Sequence, residues 1–402
     1  MDKAIKITDG IHWVGVNDRE TDIFEALWAL PQGVAYNAYV IEGEKTVAID
    51  TVKGPWFSDY LAKIKSVIGE KPVDYLVINH MEPDHSGAIT SLRLAYPNMK
   101  LVGNPRTFPL LKGFYGSFCD DGNVEVKDGD SLDIGGHVLT FATVPMVHWP
   151  ESMVTYDAST GILFSSDAFG GFGAHEGGLF DDQKCSERWE DEMLRYFATI
   201  VGKYCSTTQA ALKKLGGIEV KMICPAHGTL FRKDVKKVVS LYDRWSRYEN
   251  EPGAMVVYGS MYGNTKRMAE AVCRGLAESG FSNTLLYDVS RANSSYLLRD
   301  FWKMKGLVAV SCTYNGGLFP PMSDFFSKLA NRRPKNHVLG LAGSYSWSKG
   351  GLDALRCFAN DLGWERVEPE PEVFASPTPD DLESCALLGR NMAEKLQAPF
   401  EK

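Results

Sequence analysis

A change of rhythm near residue 250 constrains the fold of this chain more than any other feature. Beyond Glu249-Asn250-Glu251-Pro252-Gly253, a polar stretch with Pro and Gly that reads as a loop and domain boundary, strand-like and helix-like runs alternate regularly. Strands are expected at 254–258, 283–286, 307–311 and 338–342, and helices at 265–278, 322–329 and 352–362. Parallel strands need crossover connections, and helices supplying them cover both faces of the sheet, so this alternation predicts a doubly wound parallel sheet. Ahead of the break, strand candidates at 35–41, 47–50, 73–78, 138–143, 152–156, 162–165 and 221–224 are irregularly spaced. Helical spacing appears at 60–68, 185–214 and 235–248, and the combination predicts mixed sheets instead of repeated βαβ units. Two domains are expected, 1–250 and 251–402, each long enough to bury its own core.

The formal net charge of −8 offers no electrostatic case for nucleic acid, and no Lys/Arg block suggests a lipid surface. No apolar run reaches the ~18–20 residues that span a bilayer. The first residues lead into a strand-like segment without the apolar core of a signal peptide, so a cytoplasmic location is expected. The cysteines at 119, 185, 205, 224, 273, 312, 357 and 385 form no CxxC pair and describe no disulfide scaffold, so reduced thiols are expected.

Chemistry concentrates first at His80-Met81-Glu82-Pro83-Asp84-His85, just beyond the expected strand 73–78. In an extended stretch His80, Glu82 and Asp84 point the same way, and a following turn can bring His85 round to them. Further ligand types stand at turns: His148 before Trp149-Pro150, Asp167 after the strand 162–165, and His227 after Cys224-Pro225. Taken singly, His148 and His227 read as structural or surface histidines, Asp84 as a helix N-cap and Asp167 as a turn acid. The compact His-x-Glu-x-Asp-His loop is much harder to dismiss. His12, His137 and His337 lack such surroundings and read as structural.

A second constellation follows the strand 254–258. Gly259-Ser260-Met261-Tyr262-Gly263-Asn264-Thr265 opens a helix, and small hydroxyl and amide donors at a helix N-terminus can cradle a phosphate. Ser260, Tyr262, Asn264 and Thr265 are the expected contacts, Met261 lies among them, and Gly263 permits close backbone approach. Neither GxxxxGK[ST] nor GxGxxG is present. Two more loops, Thr313-Tyr314-Asn315-Gly316-Gly317 and Ser344-Tyr345-Ser346-Trp347, follow strands on the same expected sheet edge. Tyr314 or Trp347 could pack on a cofactor ring, although either alone reads as loop packing.

These two motif groups, in this order, resemble the flavodiiron proteins, and the resemblance covers residues 5–396 or so. It implies a metallo-β-lactamase-like αββα sandwich followed by a flavodoxin-like sheet of strand order 2-1-3-4-5. Zinc-holding relatives of the first fold use His-x-His-x-Asp-His, and Glu82 replaces the second histidine, the substitution that marks the di-iron branch. The resemblance implies one iron on His80, Glu82 and His148, another on Asp84, His85 and His227, and Asp167 bridging them, with FMN in the second domain. It further implies reduction of O₂ to water or NO to N₂O. The open face would carry Glu25, His175 and Tyr196, with Phe172 where several relatives hold a histidine; Glu25 or Tyr196 would relay protons, and His175 reads equally as a substitute proton donor or a surface residue. A head-to-tail homodimer, or a dimer of dimers, would bring each flavin to the partner's irons, with Trp149 either at that contact or in the core. Electrons would come from an external donor such as rubredoxin, a flavoprotein reductase or reduced F420. Two competing readings are a zinc-dependent hydrolase with an accessory flavodoxin-like domain and an electron carrier or redox sensor without catalysis.

Overall fold

The computed structural model describes residues 3–116 and 122–397, so Cys119 lies outside the described residues. The chain divides into two compact units, Met1–Asp243 and Arg244–Lys402. No helix among the described residues is long and apolar enough to cross a membrane. The seven cysteines described are all free thiols.

The first unit contains two mixed sheets. One has seven strands, running in order from Ile5–Thr8 through Ile11–Trp13, Tyr39–Glu42, Thr46–Ile49, Tyr75–Val77 and Lys100–Gly103 to Val124–Glu125. Its first half pairs antiparallel and its second half parallel. The other has five strands, Ser131–Asp133, Val138–Thr143, Met153–Asp157, Ile162–Ser166 and Met222–Pro225, of which only the last pair is parallel. Trp13, Tyr39, Ile41, Ile49 and Val77 from the first sheet share one buried cluster with Phe141, Met153, Phe164 and Cys224 from the second. The core therefore lies between the sheets, as a sandwich requires. Fully burying such side chains contributes roughly 1.5–3 kcal/mol each.

Two expectations for this unit change. The run 35–41 is not one strand: Val34–Tyr36 pairs in a separate two-stranded sheet with Val16–Asp18, and Tyr39–Glu42 belongs to the large sheet. The break falls at Asn37, whose amide N–H leaves the ladder for Ala226 O. The helical run 185–214 is also interrupted, with α-helix at Ser186–Tyr196, a π-helical turn at Phe197–Val201, a 3₁₀ turn at Gly202–Tyr204 and α-helix at Cys205–Leu215. The wider π turn lets consecutive rings serve different neighbours, Tyr196 facing His227 and Phe197 packing on Tyr242.

In the second unit the parallel sheet runs Thr284–Asp288, Glu251–Gly259, Met304–Tyr314, Val338–Tyr345 and Glu365–Val367, which is the expected order 2-1-3-4-5. Its first strand begins at Glu251, inside the stretch read as a loop, with an irregularity between Glu251 and Ala254 that accommodates Pro252. Val256, Val257, Val308 and Ala309 are fully buried, because helices cover both faces. The helices Ser294–Lys303 and Pro379–Gln397 were not expected.

His12, His137 and His337 all stand in structural settings. His12 lies beside Glu42 and His137 bonds Asp157, while His337 stacks on Phe301 at 4.0 Å between ring centroids. Burial, and secondarily the Lys305 ammonium, hold His337 down to about 3 against an ordinary 6.5. The unfolded chain therefore binds a proton that the folded chain refuses, so stability is full above the ordinary value and falls with pH below it. From about pH 7.5 to 5 this residue should cost about 2 kcal/mol. His337→Phe keeps the stack and should remove about that much pH dependence from denaturant unfolding; an unchanged dependence would refute the assignment.

Candidate metal and flavin sites

The first site forms where loops leave the strand ends of the sandwich. Beyond Tyr75–Val77 come His80 and Glu82, and Glu82 is the N-cap of the short helix Pro83–Ser86. Pro83 suits the first helical position, where its missing N–H has no intrahelical partner to lose. This corrects the extended reading: Asp84 lies in a helical turn beside His85 and does not alternate in line with His80 and Glu82. Asp167 follows Ile162–Ser166, His227 follows Met222–Pro225, and His148 lies in the turns beyond Val138–Thr143.

The structure brings all seven ligand candidates together in two groups. His80, Glu82, His148 and Asp167 form one, and Asp84, His85 and His227 the other, with ligand atoms within 4.8 Å of one another in each. Asp167 faces both. Its Oδ2 lies 3.3 Å from His80 Nε2 and 3.0 Å from His148 Nε2, while Oδ1 lies 3.0 Å from His85 Nε2 and 3.5 Å from His227 Nε2. Glu82 Oε2 stands 3.0 Å from His148 Nε2, and Asp84 Oδ2 is 3.2 Å from His227 Nε2.

A supporting layer escaped the sequence reading. Glu151 Oε1 accepts from His80 Nδ1 at 2.7 Å and from Met81 N at 2.9 Å, which turns His80 Nε2 toward the cluster. His227 Nδ1 donates to Ala35 O at 2.9 Å and turns its own Nε2 inward likewise. Gly228, with φ +69°, lets the His227 loop press on Gly171, where a Cβ would meet a carbonyl oxygen at 2.7 Å. The only signal for Glu151 was its nearness to His148 in sequence.

Electrostatics single out the same atoms. Burial pulls His80 down, but the Asp167 carboxylate and hydrogen bonds to Glu151 and Glu82 outweigh it and raise the ring to about 10. Against the same burial, His148 rises to about 10 through Asp167 and Glu82, and His85 to about 9 through Asp84 and Asp167. Burial would raise Asp167, yet the surrounding imidazoles hold it well below the usual carboxylate range. These buried carboxylates demand positive charge.

The three residues expected at the open face separate. Glu25, in a left-handed conformation at φ +49°, lines a cavity of about 300 Å³ with Phe24, Tyr36, Lys53, Glu82 and Asp84. Burial, and then the Glu82 carboxylate, raise Glu25 to about 7, and Trp28 Nε1 donates to its Oε2 at 3.0 Å. Tyr196 is buried, with its ring 5.4 Å from His227 and 5.1 Å from Phe172. His175 does not line this cavity, contrary to expectation; it is 2% exposed and bonded to Asn37 and Lys184. Trp149 is half-buried, edge-on to His80 at 5.1 Å and stacked on Phe114.

In the second unit, three loops leave the carboxyl ends of adjacent parallel strands. Ser260 to Gly263 join Glu251–Gly259 to the helix Asn264–Glu278, whose first-turn N–H groups lack intrahelical acceptors. Gly263, at φ +91°, leaves open space where a side chain would stand, and its N–H donates to Ser260 Oγ at 3.0 Å. Thr265 departs from expectation: its hydroxyl proton goes to Gly259 O at 2.8 Å, so it braces the loop. Tyr314, Asn315 and Gly316 are exposed beyond Met304–Tyr314, and Thr313 Oγ1 accepts from Gly351 N. Ser344 and Tyr345 close Val338–Tyr345, with Ser346 and Trp347 following. Tyr262 is 89% and Trp347 87% exposed, a large cost to leave in water.

Residues 34–228 match the ODP family beta lactamase model and residues 256–389 the Flavodoxin model. A protein from Moorella thermoacetica named nitric oxide reductase is 33% identical over 98% of this chain and 100% of its own length. This chain belongs to the flavodiiron proteins. The rubredoxin oxygen:oxidoreductase structure from Desulfovibrio gigas superposes with a TM-score of 0.94 at 30% identity, covering 98% of this chain and 99% of the other. The flavodiiron protein of Giardia intestinalis gives 0.93 at 26%, with coverage of 98% and 97%.

Membership in the flavodiiron family implies two non-haem irons and an FMN, and the residues fit both. Asp84 and Asp167 each have both carboxylate oxygens buried without a hydrogen bond, as are both ring nitrogens of His85 and Nε2 of His227. Unsatisfied groups of that kind, clustered and aimed at one another, are stable only around cations. Mixed imidazole and carboxylate donors suit iron. For FMN, the phosphate fits the N-terminus of Asn264–Glu278, and the ring fits between loops carrying exposed Tyr314 and Trp347.

Two substitutions separate the sites. Asp167→Asn should deplete both irons while FMN content is unchanged, because a neutral amide bridges two cations poorly; normal iron loading by elemental analysis would contradict the shared role. Ser260→Ala should weaken FMN retention severalfold in flavin titrations and leave iron untouched. Iron loss with normal flavin affinity would reverse that assignment.

Proposed function

We propose that this chain reduces O₂ to water or NO to N₂O at a di-iron centre held by His80, Glu82, Asp84, His85, His148, Asp167 and His227. Electrons arrive through FMN from an external donor. The observation that carries this reading is the placement of buried Asp167 between the two ligand groups, one oxygen toward each. Glu82 in the first group adds a second carboxylate there, which favours iron over the zinc of a hydrolase.

When bound, FMN supplies electrons and the iron pair supplies two adjacent Lewis-acidic redox centres for one small gas molecule or a pair of them. Reducing O₂ to two waters consumes four electrons and four protons; coupling two NO to N₂O and water consumes two of each. The protons must enter through protein. Glu25, on the cavity and beside Glu82, holds one at its carboxyl while Trp28 Nε1 fixes the other oxygen. Phe24, Phe172 and Tyr196 pack edge-on against each other beside His227, an apolar wall that keeps bulk water from the ligands. Tyr196 keeps its proton, because burial and then the nearby carboxylates oppose its ionisation.

For the electron path, we propose a head-to-tail homodimer, or a dimer of such dimers, in which each flavin meets the partner's irons. The exposed Tyr262 and Trp347 on the second unit, and the half-exposed Phe114 stacked on Trp149 in the first, support that arrangement. The donor is a separate protein or reductant, whether rubredoxin, a flavoprotein reductase or reduced F420. The free cysteines support a reducing, cytoplasmic setting.

Anaerobic stopped-flow mixing of the reduced protein with O₂ or NO tests the reading. Reoxidation of iron and flavin within the turnover time is expected with at least one gas. If neither gas reoxidised them, or if the purified chain held zinc and hydrolysed substrates without flavin, the proposal would fail. Glu25→Gln should slow turnover by about 100-fold or more, the lower end of the range for general acid catalysis, with iron retained.

A further inference from the structure

Asn37, which interrupts the run 35–41, has every polar atom of its side chain engaged. Oδ1 accepts from Trp13 Nε1 at 2.8 Å and meets His175 Nε2 at 2.9 Å. Nδ2 donates to Pro225 O at 2.9 Å and to Gly228 O at 3.0 Å. An indole N–H can only donate and carbonyl oxygens can only accept, so the amide has one possible orientation. His175 Nε2 must therefore carry a proton and donate it to Asn37. Its Nδ1 is then the acceptor for Lys184 Nζ at 2.8 Å, and the same ammonium reaches Thr229 Oγ1 at 3.2 Å. The donors run in one direction, from Lys184 through His175 and Asn37 to two carbonyls that bracket His227.

The backbone tightens the same grip. Asn37 N donates to Ala226 O at 2.7 Å, Tyr39 Oη donates to Pro225 O at 2.7 Å, and Ala35 O receives His227 Nδ1. Every residue of 225–228 is thus held by the segment 35–39, and His227 Nε2 is left facing Asp84 and Asp167. We propose that Lys184, His175 and Asn37 are a positioning relay that fixes His227 as a ligand of the second metal, in place of a proton-donating role for His175. This rests on the reading that Asp84, His85 and His227 hold a metal. Because His175 is buried with both nitrogens committed, it has no route for delivering a proton to the cavity beside Glu25.

The test is metal release from the full FMN-loaded chain into excess chelator, with His175→Leu, His175→Gln and Lys184→Met beside the parent. In His175→Leu one release phase should quicken by about 10- to 100-fold, the usual effect of losing an outer-layer support, while the other keeps the parent rate and FMN content is unchanged. His175→Gln, whose amide N–H can still donate to Asn37, should restore most of the parent behaviour. Lys184→Met should act in the same direction more weakly, because the free Nδ1 lets the imidazole change tautomer, and this variant reports even if His175→Leu does not fold. Parent rates in both Leu and Met variants, or equal acceleration of both phases with a lowered unfolding temperature, would overturn the relay. The assay reads iron and zinc alike, so finding zinc would defeat the proposed function without deciding this test.

Discussion

Much of the first unit depends on gathering buried carboxylates and imidazoles around Asp167. Left alone, such a cluster would cost several kcal/mol per unpaired charge. The sandwich carries it because the ligands come from loops rooted in rigid strands and because cations complete it. Strand ends supply direction, and the outer contacts supply orientation: Glu151 turns His80, and Ala35 O turns His227. The same arrangement explains why His80 and His227 each commit Nδ1 to an outer partner. The other nitrogen of each ring is kept for metal.

The two sites differ physically in what they must exclude. The candidate histidine ligands and Asp167 are buried and Glu82 and Asp84 partly so, with rings from Phe24, Phe172 and Tyr196 packed together beside His227, which suits chemistry on a small apolar gas. The flavin loops are open, with aromatic side chains left in water, which suits a cofactor whose ring must approach another redox partner. One unit hides its reactive centre, and the other presents it.

Much of this was legible in the residues. The alternation beyond 254 predicted the parallel sheet, because both faces are covered and each strand reads as a continuous apolar run; its strand order came from the flavodoxin resemblance. The His80–His85 loop announced metal by density of ligands alone. What escaped depends on contacts distant in sequence. Asn37 looked like part of a strand because it sits in an apolar, strand-like run, and only its partners at 225–228 reveal the interruption. Asp84 looked in line with His80 until Pro83 proved to start a helix. His175 looked like a pocket residue because a histidine in a glycine-rich loop has no sequence signature of burial. Pro379–Gln397 was missed although it is long, since its buried face includes small residues such as Ala386, Gly389 and Ala393 that carry little hydrophobic signal.

The central claim is that Asp167 joins two metal ions into one unit, and electron paramagnetic resonance of the iron-loaded chain after one-electron reduction tests it most directly. A bridged pair predicts a single signal from two coupled irons of mixed valence, lost on full reduction and altered in both metals by substitution at Asp167. Independent signals from isolated high-spin ferric ions, insensitive to Asp167, would contradict the account.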